Sequence, residues 1–233
     1  MKINQSELAT NLPDKTNKQP KTSCFILFIS FLLVLILAGY FIWRKIQLNA
    51  AQKLVYDCSL NNNCSQITII EALEKLVKAQ KKLKLLNLSS TNLEDANLQG
   101  AHIHRANLSN AKLKKANLKS ADIYLSNLSN ANLSNANLKD ADVYRANFSN
   151  ANLKSVDITN ANLSSAILID TKNLTPTQIK SACNWENAFY KGQFDDDYEE
   201  WIIDKQANQQ FIELLQQAHA SDPKQPVDCS AWK

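Results

Sequence analysis

The chain has 233 residues, with 26 Lys or Arg, 22 Asp or Glu, three His, three Gly and five Cys. That length holds one or two domains. A net charge of +4 excludes a strongly acidic surface, and three glycines leave no phosphate-cradling loop.

Residues 1–23 are polar, carry Pro13 and Pro20 and lack apolar periodicity, so they are predicted to be a disordered tail. Cys24 to Trp43 are twenty consecutive positions without a charge, enough for a helix to cross about 30 Å of hydrocarbon. Lys15, Lys18 and Lys21 precede the stretch, and Arg44 and Lys45 close it. The run is long for a cleaved signal peptide, and no small-x-small cleavage site precedes the closing basic pair. The segment is therefore predicted to be a single-pass membrane anchor. Basic residues on both sides give only a slight lean towards a cytoplasmic N-terminus.

Residues 44–85 read as a linker followed by an amphipathic helix over 66–84. Thr68 and Glu71 form a candidate capping box. Ile69, Ile70, Leu73, Leu76, Val77 and Leu83 supply an apolar side. Lys75, Lys78, Lys81, Lys82 and Lys84 make the other side basic, a solvated face or a contact for anionic lipid headgroups.

From Leu86 the chain repeats every five residues to Asp170, seventeen times without insertion or deletion. Steps of five from Leu88 to Leu168 meet only large apolar residues. Two positions earlier stands a small residue, usually Ala, and the residue between is usually Asn or Asp. Apolar spacings of two and then three suit neither a helix nor an alternating strand for long. They suit a short extended step followed by a corner. Such units cannot bury their apolar side alone and must stack as a solenoid.

A second period is visible at twenty residues. The units at 101–105, 121–125 and 141–145 resemble one another more than their neighbours do, and place His104, Tyr124 and Tyr144 at one position. Four units therefore make one coil, giving about four coils over 86–173 and a rod roughly 20 Å long. Phe148 and Val156 depart from the pattern and are expected to bulge or rotate one coil. Because terminal coils are open, the amphipathic helix is assigned as an N-terminal cap and residues 174–233 as a helical C-terminal cap.

These units resemble the pentapeptide-repeat family, whose units read A-(D/N)-L-X-X. The resemblance implies an all-β solenoid, a right-handed quadrilateral β-helix with the small residue and the Leu inward. The segment 174–185 (L-T-P-T-Q-I-K-S-A-C-N-W) resembles a tail that follows such repeats in cyanobacterial members. Some family members bind DNA gyrase by presenting an acidic rod that mimics DNA.

In the C-terminal segment, Thr175-Pro176-x-Gln178 is a helix start with Pro at its first position. A further helix is expected around Ile202 to Ala218, sealing the last coil with Ile203, Phe211, Ile212, Leu214 and Leu215. The acidic group Asp195, Asp196, Asp197, Glu199 and Glu200 lacks calcium-loop spacing and reads as a solvated turn. Cys24 lies in the span, which leaves Cys58, Cys64, Cys183 and Cys229. Of three pairings, Cys58–Cys64 and Cys183–Cys229 are the ones their positions favour. The alternative is four reduced thiols in the cytosol. Disulfides persist only on an oxidising side, so the repeat domain is expected in a periplasm or lumen.

No catalytic constellation emerges. His102 and His104 lack a third metal ligand, and the many Ser residues are repeat positions without a neighbouring base. No cofactor, metal or nucleic-acid site is assigned. Residues 86–173 carry nine basic and seven acidic residues, the wrong sign for a DNA mimic. What remains is a non-enzymatic, membrane-tethered interaction or scaffold module with an unidentified protein partner. Its candidate face is His104, Tyr124 and Tyr144, edged by Arg105, Leu125 and Arg145, since exposed Tyr and Arg are favoured at interface centres. The competing reading is that these rings stack from coil to coil and only stabilise the face. A polar face of Asn107, Asn127, Asn147, Ser109, Ser129 and Ser149 is a weaker candidate for homodimerisation.

Overall fold

The computed structural model describes residues 22–61, 65–195 and 200–232. The chain divides into two compact units, Met1–Ile46 and Gln47–Lys233. Of the expected tail, only Thr22 and Ser23 fall within the described residues.

In the first unit the uncharged stretch 24–43 lies in a single helix, α1 (Thr22–Asn61). Leu33, Val34, Leu35, Ile36, Leu37, Tyr40, Phe41, Ile42 and Trp43 are all exposed on it. Among the described residues no helix is long and apolar enough to cross a membrane. The side chains at 24–32, the first part of the expected span, lie outside those described.

The second unit begins with the last turns of α1. The expected linker is thus helical to Asn61, because Ala51, Val55 and Cys58 fall at helical spacing and are buried. Against them packs α2 (Gln66–Lys78), which buries Ile69, Ala72, Leu73 and Leu76. Lys75 Nζ donates to Gln47 Oε1 at 2.9 Å. The expected Thr68–Glu71 box does not form. The N-cap is Ser65, and its side chain makes no capping bond. Nor does α2 reach residue 84. The chain leaves it through Gln80 in the left-handed region, φ 53°, and Lys82 already pairs with His102. Leu83 is buried in the coil core. Lys81, Lys82 and Lys84 therefore lie beyond the helix and do not extend its basic face.

The repeats form a parallel β-helix whose coils are twenty residues long. Bridges join Lys82, His102, Asp122, Asp142 and Asn162 in one column, and Asn87, Asn107, Asn127, Asn147 and Ile167 in the next. Two further columns run Asn92, Lys112, Asn132, Asn152, Lys172 and Asn97, Asn117, Asn137, Asp157. Four columns at a constant offset are the four sides of the coil. Within each side, Leu108 N donates to Asn127 O at 2.7 Å while Asn127 N donates to Ala106 O at 2.9 Å. The same pair of bonds recurs coil after coil.

Each position of the unit has a physical task. Ala and Leu point inward, and the Leu column from Leu83 to Leu168 and the Ala column beside it are buried. Burying one such Leu is worth about 1.5–3 kcal/mol. The Asn between them turns its Oδ1 back to the backbone two residues on, as in Ser109 N to Asn107 Oδ1 at 3.1 Å and Ser129 N to Asn127 Oδ1 at 3.0 Å. This is the short polar side chain acting as an Asx turn. The fifth residue makes the corner, and from Leu85 to Asp170 every fifth residue has φ between 53° and 66°. For most residues that left-handed conformation costs roughly 1–2 kcal/mol, and Gly, Asn and Asp bear it best.

Phe148 and Val156 do not displace the coil. Both are buried, and the twenty-residue bridges Asn147↔Ile167 and Asn137↔Asp157 continue beside them. The register changes later. Asn162 pairs with Cys183 and Ile167 with Phe189, because α3 (Pro176–Ser181) replaces one corner with a short helix. The columns from Asn87 to Ile167 and from Asn92 to Lys172 make four inter-coil steps within 86–173, and the first column extends the ladder to five, from Lys82 to Cys183. Its stack is about 24 Å long at roughly 4.8 Å per step.

The ends are closed by different means. At the first coil Asn97 N has no earlier coil to meet, and donates instead to Glu74 Oε1 at 2.7 Å. At the last coil Thr175 and Gln178 form a capping box, and Gln178 Nε2 donates to Val156 O at 2.8 Å. Beyond it, strands β1 (Gly192–Asp195) and β2 (Glu200–Ile203) form an antiparallel hairpin. Ile202 and Ile203 therefore belong to a strand, and the expected helix, α4, runs only Lys205–Gln217. Ile212 and Leu215 are buried and Phe211 packs beside them, but Leu214 is exposed, so it does not seal the coil. Cys183 and Cys229 form a disulfide, with Cα atoms 5.6 Å apart. Cys58 is also disulfide-bonded, whereas Cys64 lies outside the described residues, as do residues 196–199 of the acidic group.

Candidate interaction face

One side of the coil carries the residues at Lys84, His104, Tyr124, Tyr144 and Ser164, stacked one per coil. Their backbones are tied in series: Arg105 N donates to Tyr124 O at 3.0 Å, Leu125 N to Tyr144 O at 2.9 Å and Arg145 N to Ser164 O at 3.1 Å. His104, Tyr124 and Tyr144 are half-buried, and Arg105, Leu125 and Arg145 are exposed beside them. All six residues therefore share one rigid surface.

The rings do not form a single continuous stack. His104 lies flat on Tyr124, with centroids 5.0 Å apart and planes at 14°. Tyr144 is covered instead by its neighbour, with Arg145 Cζ 5.1 Å from the ring centroid. A guanidinium over a phenol is held in place by the ring's electron-rich face. At the other edge Asp122 Oδ2 sits 3.5 Å from Nδ1 of both His102 and His104. Among the described residues His104 Nδ1 and Asp122 Oδ1 have no hydrogen-bond partner. Asp122 is the acid that sequence reading did not associate with the two histidines, although a spacing of twenty from His102 points to it. Among the described residues no group of His, Cys, Asp or Glu is arranged to hold a metal ion.

The corner residues separate this side from the other three. Its corners are Leu85, Arg105, Leu125, Arg145 and Ser165; the other sides have Ser90, Asn110, Asn130, Asn150, Asp170; Asp95, Lys115, Asn135, Ser155; and Gly100, Ser120, Asp140, Asn160. All share the left-handed conformation. Large side chains occupy four of five corners here, and elsewhere Lys115 and, at the exit from α2, Gln80.

The proposed dimer face is differently occupied. Asn107, Asn127 and Asn147 spend their Oδ1 atoms on the N–H groups of Ser109, Ser129 and Ser149 at 3.1, 3.0 and 2.9 Å, and Ser149 is buried.

A parallel β-helix of four five-residue units per coil, with Ala and Leu inward, defines a repeat scaffold with four sides. Residues 87–123 and 126–164 match the pentapeptide repeats family in eight copies, and over this segment the chain is similar to that family. No curated protein matches the chain. Among solved structures it is similar to HetL, a pentapeptide repeat protein involved in heterocyst differentiation regulation from the cyanobacterium Nostoc sp. strain PCC 7120. The identity is 30% over 41% of this chain and 44% of that one, with a TM-score of 0.29. The chain thus spans less than half the length of HetL. It is also similar to alr5209, another pentapeptide repeat protein from Nostoc PCC 7120 (26% identity, 45% of this chain and 87% of that one, TM-score 0.30). A third similarity is to QnrB1, a plasmid-mediated fluoroquinolone resistance protein (18% identity, 44% of this chain and 57% of that one, TM-score 0.21).

Proposed function

We propose that the chain is a non-enzymatic interaction module, held at a membrane by the uncharged segment 24–43 and binding a protein partner through the His104, Tyr124, Tyr144 face. The observation that carries this reading is the face itself. It presents two tyrosines, a histidine and two exposed arginines on a backbone ladder that cannot yield, which lowers the ordering cost of binding. The tether is supported by exposed apolar residues from Leu33 to Trp43 on one helix, a surface that water disfavours. The Cys183–Cys229 disulfide supports a repeat domain on the oxidising side, periplasmic or lumenal. The balance of nine basic and seven acidic residues over 86–173 opposes a DNA-mimic role.

The test is a double substitution, Tyr124→Ser with Tyr144→Ser, in the full chain in its membrane. Partners are captured by crosslinking, and melting is followed in parallel. Lost crosslinks with a retained melting temperature are expected. Retained crosslinks with a lower melting temperature would reduce the face to a stabilising stack. Release of the protein from membranes by alkaline carbonate would remove the tether.

A further inference from the structure

We propose that the strained corner column of this face is a docking strip for an acidic, extended segment of a protein partner, one that places two carboxylates about 10 Å apart around an apolar side chain. The inference rests on the interaction reading above and gives it a ligand chemistry.

The first observation is the cost borne at the corners. Leu85, Arg105, Leu125 and Arg145 all have φ between 55° and 62°, where a long side chain is disfavoured. The rest of the chain shows what the fold prefers at such corners, because Asn, Asp, Ser or Gly fill all but Lys115 and Gln80 on the other sides. Among the described residues, the one contact that these four side chains make in return is Arg145 against the Tyr144 ring. Leu85 is 70% exposed and Leu125 37%, so neither fills the core. Among the described residues, neither arginine is in an ion pair. Backbone strain that packing does not repay is characteristic of binding sites.

The second observation is charge. The two acids on this side are engaged within it. Asp122 faces the two histidines, and Asp142 Oδ1 accepts from Tyr144 N at 3.1 Å and Asn162 Nδ2 at 3.0 Å. Arg105 and Arg145 are left uncompensated, two coils apart with Leu125 between them. Two steps of roughly 4.8 Å put their Cα atoms about 10 Å apart. An extended segment in the polyproline II conformation covers that distance in three residues at roughly 3.1 Å each and brings its side chain back to the same face every third residue. The matching segment therefore has acids at positions i and i+3 with an apolar residue between, each carboxylate received by a planar guanidinium fork. Arg145 is already braced on Tyr144.

The experiment uses the full chain in detergent micelles and a fluorescent peptide with Glu at i and i+3 and Leu between, its Gln analogue serving as control. Anisotropy and melting are read for wild type, Leu125→Asn and the double variant Arg105→Asn with Arg145→Asn. The acidic peptide is expected to bind wild type at least tenfold more tightly than the double variant does, and tenfold more tightly than the Gln control binds. Melting temperatures are expected to rise, by about 2–4 °C per relieved corner. Equal binding to wild type and double variant, or none up to millimolar peptide, would overturn the acidic ligand. A fall in melting temperature with Asn at these corners would overturn the strain argument. Self-association of wild type, abolished in the double variant without peptide binding, would assign the strip to a second copy instead. A photocrosslinker at Leu125 in membranes separates this proposal from the one it rests on. Neighbours captured without an acidic segment refute only the ligand, whereas no neighbour at all refutes the interaction module.

Discussion

From Leu83 to Leu168 the chain repeats one inward pair and one backbone bond pattern, whereas from Leu174 to Trp232 hardly any contact occurs twice. In the repeats each Leu is surrounded by copies of itself, and every coil sees the same neighbours. In the cap, stability is concentrated in single contacts. The Cys183–Cys229 bond ties the last coil to the C-terminus, and Trp232 Nε1 donates to Asn160 O at 2.7 Å. Buried Lys180 donates to Ala218 O and Asp222 Oδ1 at 3.0 and 2.5 Å. Asn208 Oδ1 accepts from Tyr190 N at 2.6 Å, and burial pushes the Tyr190 phenol above its ordinary pKa. Repetition lets a sequence specify a long structure with a few residue types. A unique end has to be specified contact by contact, and those contacts answer to redox state and pH as well as to volume.

The largest effect is expected in the repeats. Leu133 is fully buried inside a closed square section that backbone ladders prevent from collapsing. Leu133→Ala should cost about 4 kcal/mol, in the upper part of the range for core truncation, read from thermal or denaturant melting. An unchanged curve would mean that the coil relaxes around the void and that its interior is not close-packed. In the cap, Cys183→Ser with Cys229→Ser opens a bridge between residues 46 apart. Loop-closure entropy sets the loss at about 2–4 kcal/mol. Proteolysis should then begin in the cap before the coils, since an Ising-like array frays from an unsealed end. Cleavage starting in the middle repeats would erase the contrast between the two regions.

A smaller, pH-dependent effect is expected at Lys180. The Lys180 ammonium hydrogen-bonded to Asp222, with His219 alongside, holds the Asp222 carboxyl below the usual carboxylate range. A carboxyl lowered in the folded state stabilises fully above its unfolded value of about 3.9 and loses that contribution as pH falls through the folded one. Asp222→Asn should therefore lower the melting temperature at pH 7, by an amount that shrinks once the pH drops below the folded value. The same deficit on both sides of that value would show that Lys180 is held by Ala218 O without help from the charge.

The two regions also differed in how far the sequence exposed them. The twenty-residue recurrence of His104, Tyr124 and Tyr144 made the four-sided coil legible, because spacing along the chain is spacing across the ladder. The same arithmetic brings Asp122 to His102, a pairing visible only once the coil length is used for every column. The left-handed corners were less visible, since Asn and Ser at a fifth position also look like ordinary surface residues. The β1–β2 hairpin and the exposed Leu214 were not legible. One short strand beside Trp201 has no period to betray it, and an apolar residue on a helix does not say which neighbour it will meet. The ladder also starts at Lys82 and not Leu86, because the unit preceding Leu88 lacks the small inward residue that marks the others.

The smallest effect is expected where the repeats depart from their own rule. Ser126 stands in an inward position that elsewhere is usually Ala, and it is buried. In neighbouring units the N–H of that Ala closes the corner directly, as in Ala111 N to Leu108 O at 3.1 Å and Ala116 N to Leu113 O at 3.0 Å. One coil below Ser126 the corner is bridged instead. Ala106 N donates to Ser126 Oγ at 3.1 Å, and Ser126 Oγ donates to Ile103 O at 3.0 Å. The hydroxyl has inserted itself between a donor and an acceptor that can meet without it. Ser126→Ala should restore the direct bond and leave stability within about 0.5 kcal/mol of the parent, by paired denaturant melts. A loss of about 1–3 kcal/mol would mean that the corner cannot close and an amide is stranded. The coil would then be as dependent on single contacts as the cap.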